Sequence, residues 1–191
     1  MLRSKPHEWK SYLNLARSVM AHIDDTTFMQ QPSRLPEQTW VVGGLQRLAY
    51  ADADNGDVPD IAAWCATQWT VISQRDPHNI AALRGIGEAW LRRAQPALSR
   101  IHRVDGSSSS SGGSSSLSAL SLSRSEEERQ SAASTLEAER RAGTADYVEA
   151  RGYLQPACEY LDRAVTAAPA QQALSGDLLA MVSSIERSKQ L

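Results

Sequence analysis

Residues 76–91 read DPHNIAALRGIGEAWL, and Gly85 and Gly87 form a G-x-G inside a stretch otherwise suited to a helix. In front of a helix, such glycines let backbone amides close around a phosphate. Within a helix, a glycine among large apolar residues lets a second helix come close. The phosphate role needs a preceding strand, a third glycine and an acidic residue about 20 positions on. The preceding strand signal and the third glycine are both absent.

Other groups with chemical potential are weaker still. Arg92, Arg93, Arg100, His102 and Arg103 form a basic cluster opposed by no acid before Asp105. It suits an acidic peptide, a phosphoserine or RNA. It also suits internal neutralisation by Asp52, Asp54, Asp57 and Asp60, or by Glu126, Glu127 and Glu128. No aromatic residues are interleaved to stack bases, which disfavours nucleic acid. The acidic turn from Asp52 departs from a calcium loop, with Asp57 where that loop needs Gly and Ala63 where it needs Glu. The histidines at 7, 22, 78 and 102 lack zinc-ligand spacing. Cys65 and Cys158 lie in apolar helical patterns and read as core thiols. No G-x-S-x-G elbow occurs. The expectation is a protein with no catalytic residues, no metal and no cofactor.

The composition agrees with a folded binding protein. The chain has 191 residues, 41% hydrophobic and 22% charged, with a net charge of -2. That is one ordinary domain with no overall pull toward nucleic acid or anionic membrane. No apolar run approaches the ~20 residues of a membrane helix, and the N-terminus lacks the apolar core of a secretory signal. Arg3, Lys5 and Lys10 against Glu8 alone leave a mitochondrial presequence open. Cytosol or nucleus is the expected compartment, since two cysteines do not make a disulfide framework.

Helices must position whatever groups act. Trp9, Tyr12, Leu13, Ala16, Met20 and Ile23 recur at helical spacing. A second helix is expected over 37–50 with Trp40, Val41, Gly44, Leu45 and Leu48 inward. A third covers 59–75, entered by Asp57 and Pro59. A fourth starts at the cap Asn79 and runs toward Arg103, with a bend at Pro96. Residues 106–125, GSSSSSGGSSSLSALSLSRS, have almost nothing to bury and read as a disordered insertion. Ser125 and Glu128 form a capping box, Gly143 is a stop, and further helices cover 145–168 and 173–188. The predicted organisation is therefore 1–105 helical repeats, 106–125 insertion and 126–191 helices completing the same domain.

Two helices share a pattern. Cys65, Trp69, Ile72 and Pro77 are spaced 4, 3 and 5 apart, as are Ala157, Leu161, Ala164 and Pro169. Between them Leu83, Ile86, Gly87 and Trp90 are spaced 3, 1 and 3. This resembles the tetratricopeptide repeat, a helix-turn-helix unit of about 34 residues. The resemblance implies an all-α solenoid of antiparallel hairpins, with Gly87 at the small position where paired helices meet. Gly85 has no such role and is expected merely to be tolerated, at about 1 kcal/mol relative to Ala. Pro77 and Pro169 lie 92 residues apart, so a long insertion would interrupt one unit and leave two or three repeats in all.

The resemblance further implies a groove lined by Lys10, Asn14, Arg84, Glu88 and Arg92, taking a peptide or helix of a larger complex or a second copy of the chain. Gly85 and Ala81 occupy places where the two-carboxylate clamp of some family members needs polar groups, which argues against chaperone-tail binding. Ser123 and Ser125, each three residues before a Glu, are candidate phosphosites. The expected function is a non-catalytic adaptor or assembly subunit. The alternatives are a small helical enzyme or enzyme-complex subunit, and a nucleic-acid-associated protein using Arg92 to Arg103.

Overall fold

The ring of Pro77 forces the preceding Asp76 into an extended conformation (φ −135°, ψ 91°), so a helix must end there. Asn79 opens the next helix, its Oδ1 accepting from the Ala82 N–H at 3.0 Å. In the computed structural model these residues separate α3 (Pro59–Arg75) from α4 (Ile80–Ser109). The structure describes residues 8–52, 57–109, 129, 132, 135–136, 139–169 and 176–189. Among these, regular structure is helical throughout, with no strand.

The earlier elements are a 3-10 turn (Glu8–Tyr12), α1 (Leu13–Asp24), two short 3-10 turns (Phe28–Gln30 and Pro32–Arg34) and α2 (Leu35–Ala49). The later ones are α5 (Ala145–Ala167) and α6 (Gly176–Lys189). Gly143 and Thr144 form a turn between helical residues 139–142 and α5, as the sequence predicts. Pro96 lies inside α4 without ending it, and the helix reaches Ser109, past the predicted limit at 105. The rest of the Ser/Gly tract, with Ser123, Ser125 and Glu126 to Glu128, lies outside the described residues. The chain divides into two compact units, Met1–Arg93 with Tyr153–Leu191, and Ala94–Gly152.

In the first unit, α2 buries Leu45 and Leu48 as expected, with Val41 partly buried beside them, but its inward face is shifted away from Trp40. Gln38, Val42, Leu45, Gln46, Leu48 and Ala49 are buried, and Trp40 is 75% exposed. The two glutamines explain this register, because each finds both a donor and an acceptor partner. Gln38 Nε2 donates to the Phe28 and Gln31 carbonyls, both at 2.7 Å, and its Oε1 accepts from Arg75 Nη2 at 3.0 Å. Gln46 accepts from the Trp69 indole N–H and donates to the Gly85 carbonyl at 2.9 Å. Such groups are tolerated in a core only when paired. Tyr12, expected inward, is 46% exposed, because residues 8–12 wind as a tighter turn with a different periodicity.

The patterned residues are core. Cys65, Trp69, Ile72, Leu83, Ile86, Ala157, Leu161 and Ala164 are all buried, Trp90 is half-buried, and Pro77 and Pro169 follow the ends of α3 and α5. Filling out one such side chain is worth about 2 kcal/mol. In the second unit Ala97, Ile101 and Ala150 form a small core with Leu98 and Tyr147.

Gly85 and Gly87, about 200° apart around α4, are where that helix meets its neighbours in the first unit. A Cβ on Gly87 would lie 2.6 Å from Leu161 Cγ and 3.3 Å from the Ala157 carbonyl of α5, the close approach that the sequence predicts. A Cβ on Gly85 would press into the Trp69 indole of α3, 2.6 Å from its Nε1. Gly85 is therefore not a merely tolerated residue: its bare backbone is the seat of a buried indole.

Alanine at these positions sets a helix-propensity gain of about 1 kcal/mol against overpacking that costs about 1–3 kcal/mol. Trp69 is fixed by Gln46 and Leu161 is fully buried, so overpacking wins. Gly85→Ala and Gly87→Ala should lower the urea midpoint. Gly152→Ala, where a Cβ meets nothing within 4 Å, should raise it. A gain in stability from either of the first two would contradict the close-approach account.

Candidate functional site

With α3 against its Gly85 side and α5 against its Gly87 side, α4 keeps a narrow strip toward solvent in the first unit. Ala81 and Arg92 are exposed there, and Arg84 and Glu88 are half-buried. Arg84 Nε donates to Glu88 Oε1 at 2.9 Å, one turn away, so these two predicted groove residues neutralise each other. Lys10 and Asn14 are exposed at the other end of the sequence, with Lys10 Nζ 5.5 Å from the centre of the Trp9 ring. No hydrogen bond or ion pair among the described residues joins Lys10 or Asn14 to the α4 strip.

The arginine cluster is divided between separate tasks. In the first unit Arg92 is exposed, while Arg93 is half-buried with its guanidinium 5.2 Å from the centre of the Trp90 ring. In the second unit Arg100 Nε binds Asp146 Oδ1 at 2.7 Å, and its Nη2 binds Glu149. The hydrogen bond to Asp146 raises the Arg100 pKa above its ordinary value. Arg103 Nε donates to the Ser99 carbonyl at 3.3 Å. The acids that neutralise Arg100 thus come from α5 and not from the turn at 52–60. Asp60, expected to serve that cluster, instead accepts from Arg17 of α1 at 2.6 and 3.3 Å.

The remaining groups stay in structural surroundings. Cys65 and Cys158 are buried, and burial pushes the Cys65 thiol up to about 12, far from a reactive thiolate. No group of three His, Cys, Asp or Glu side chains among the described residues is placed to hold a metal ion. No helix among them is long and apolar enough to cross a membrane.

Sequence reasoning missed the most exposed of the described large hydrophobic side chains, an indole standing 75% exposed in mid-helix at Trp40. Leu15 on α1 is also exposed, at 61%. A fully apolar reading of α2 places Trp40 inside, and only the partners of Gln38 and Gln46 reveal that it points out. Against this geometry, no protein-family model, curated protein or solved structure matches the chain.

The Arg17–Asp60 pair has a pH signature. Its hydrogen bond from Arg17 holds the Asp60 pKa below the ordinary carboxylate value of about 3.9. A depressed folded-state pKa contributes stability that is present above the unfolded value and lost as pH falls through the folded one. Asp60→Asn should therefore show a lower urea midpoint than the native chain at neutral pH, a gap that closes in acid. The gap should be small, because both side chains are about half exposed. A gap independent of pH would show that the carboxylate charge is not involved.

Proposed function

We propose that this chain is a non-catalytic protein-binding module, an adaptor or assembly subunit of the cytosol or nucleus, built on tetratricopeptide-like hairpins. The exposed indole of Trp40 carries the reading. Tryptophan is rarely left in water on a helix, and it is among the residues that dominate protein–protein contacts. Two further observations support it. The residues spaced like the repeat are those that pack α3, α4 and α5 in the first unit. Arg84 and Arg100 on α4 are engaged in ion pairs, and among the described residues no three His, Cys, Asp or Glu side chains converge. A partner helix or peptide would then cover Trp40 on α2 and use the Ala81–Arg84–Glu88–Arg92 strip for polar contacts. The division of the arginines between aromatic, carboxylate and carbonyl partners favours a protein over a nucleic acid.

Affinity capture of the tagged full-length chain from its native cells, with quantitative mass spectrometry, tests this. Trp40→Ala should reduce recovery of a stoichiometric partner by about tenfold or more, the loss of an interface hot spot. Its melting temperature should be unchanged, since the indole packs against little of the fold. If the partner is a second copy, light scattering should show self-association that the same substitution removes. Unchanged capture together with a monomer of unchanged mass would contradict the proposal.

A further inference from the structure

Trp40 does not stand alone on the outer face of α2. Val42 is fully buried, so the face opposite it is the one turned to solvent. At 100° per residue that face carries Glu37, Trp40, Gly44 and Arg47, each within about 40° of its centre line. Glu37, Trp40 and Arg47 are exposed, and Gly44 is half-buried. Arg47 folds back along the helix, its Nη1 and Nη2 lying 3.8 and 3.9 Å from where Cβ atoms on Gly43 and Gly44 would stand. It forms no ion pair among the described residues. Glu37 meets Arg34 only at 3.9 Å, with both side chains more than half exposed, a contact worth little.

Packing within the chain does not account for the two glycines. Each costs about 1 kcal/mol in a helix interior relative to Ala. Unlike Gly85 and Gly87, neither is pressed by a neighbour, since an added Cβ would meet nothing closer than 3.8 Å. Bare backbone on an outer helix face admits a large side chain from outside. An indole is the large side chain that this same face offers.

We infer that a second copy of this chain covers Trp40, through an antiparallel, two-fold pairing of α2 with α2. Centred at the level of Val42, such a pairing brings Trp40 level with the second copy's Gly44 and Glu37 level with the second copy's Arg47, and by symmetry the reverse. Both matches are complementary, an indole against bare backbone and an acid against a base. Arg47 swings off the glycines to reach that acid, which uncovers them for the indole. A parallel pairing sets Glu37 beside Glu37 and Arg47 beside Arg47, so charge selects the antiparallel one. One helix face is small beside the about 1,600 Å² of a standard interface, so the dimer is weak and depends on concentration. This rests on the protein-binding reading of Trp40 and names the partner.

Sedimentation velocity of the full-length chain over a concentration series tests it. The native chain should pass from monomer to dimer, and Trp40→Ala or Gly44→Leu should raise the midpoint concentration about tenfold or more. At a dilution that leaves the chain monomeric, Gly44→Leu should melt no lower than the native chain, because only the flexible end of Arg47 lies near its Cβ. Charge supplies the deciding arm. Glu37→Arg and Arg47→Glu should each lose self-association, since like charges then meet at both ends of the pair. Mixed in equal amounts, the two variants should associate with one another about as well as native copies do, because Arg then faces Glu at both ends.

A native dimer that Trp40→Ala and Gly44→Leu leave unchanged overturns the inference. So does a mixture that stays monomeric while Glu37→Arg and Arg47→Glu both keep the native melting transition. A native chain that is monomeric at every concentration also overturns it; if affinity capture then returns a different protein that Trp40→Ala loses, the adaptor reading stands with that partner. A monomer whose capture returns no partner defeats the adaptor reading as well.

Discussion

Helices usually pack with their axes about 8–10 Å apart because side chains fill the space between them, and α4 gives up that filling on two sides. At Gly85 the Trp69 indole of α3 rests on bare backbone, and at Gly87 Leu161 of α5 does the same. Much else in the first unit follows from this double approach. Ala157 and Ala164 must be small where α5 is buried, while the large buried residues Leu83 and Leu161 fill what remains. A larger residue at either glycine would have to displace a fixed, buried side chain.

The close approach is locked by polar groups. Packing alone would let three amphipathic helices slide or rotate, since apolar contact is not directional. Gln46 removes that freedom by linking the Trp69 indole of α3 to the Gly85 carbonyl of α4 from its own place on α2. Gln38 does the same at the start of α2, tying the Phe28–Gln31 turn to Arg75 at the end of α3. Both are buried amides whose hydrogen bonds are satisfied in one register, so rotating α2 would leave them unpaired at about 1–3 kcal/mol each. The exposure of Trp40 is a consequence: with the glutamines inside, the indole is turned out.

The helices of the first unit were legible in the sequence because local chemistry marks their ends. Pro59, Asp76-Pro77 and Asn79 bracket α3 and α4, and Pro169 follows α5. Gly87 was legible through its spacing from Leu83 and Trp90. The failures share a cause. Gly85, the orientation of α2 and the partner of Arg100 each depend on a residue far away in the chain: Trp69, Gly85 and Asp146. No local pattern announces such a pairing. Periodicity counts apolar residues, so on α2 it finds Leu45 and Leu48 but misses the two inward glutamines and places Trp40 inside. The exposed face of α2 suffered most, because what lies outside is what the core has rejected.

The central claim is that α3, the Ile80–Arg93 part of α4 and the Tyr153–Ala167 part of α5 form one cooperative unit around the two glycines. Native-state hydrogen exchange tests it most directly. The account predicts that the slowest amides of α3, of residues 82–92 and of residues 154–165 exchange with the same free energy, equal to that of global unfolding. Exchange of residues 154–165 through an independent, lower-energy opening, with α3 and α4 still protected, would contradict it.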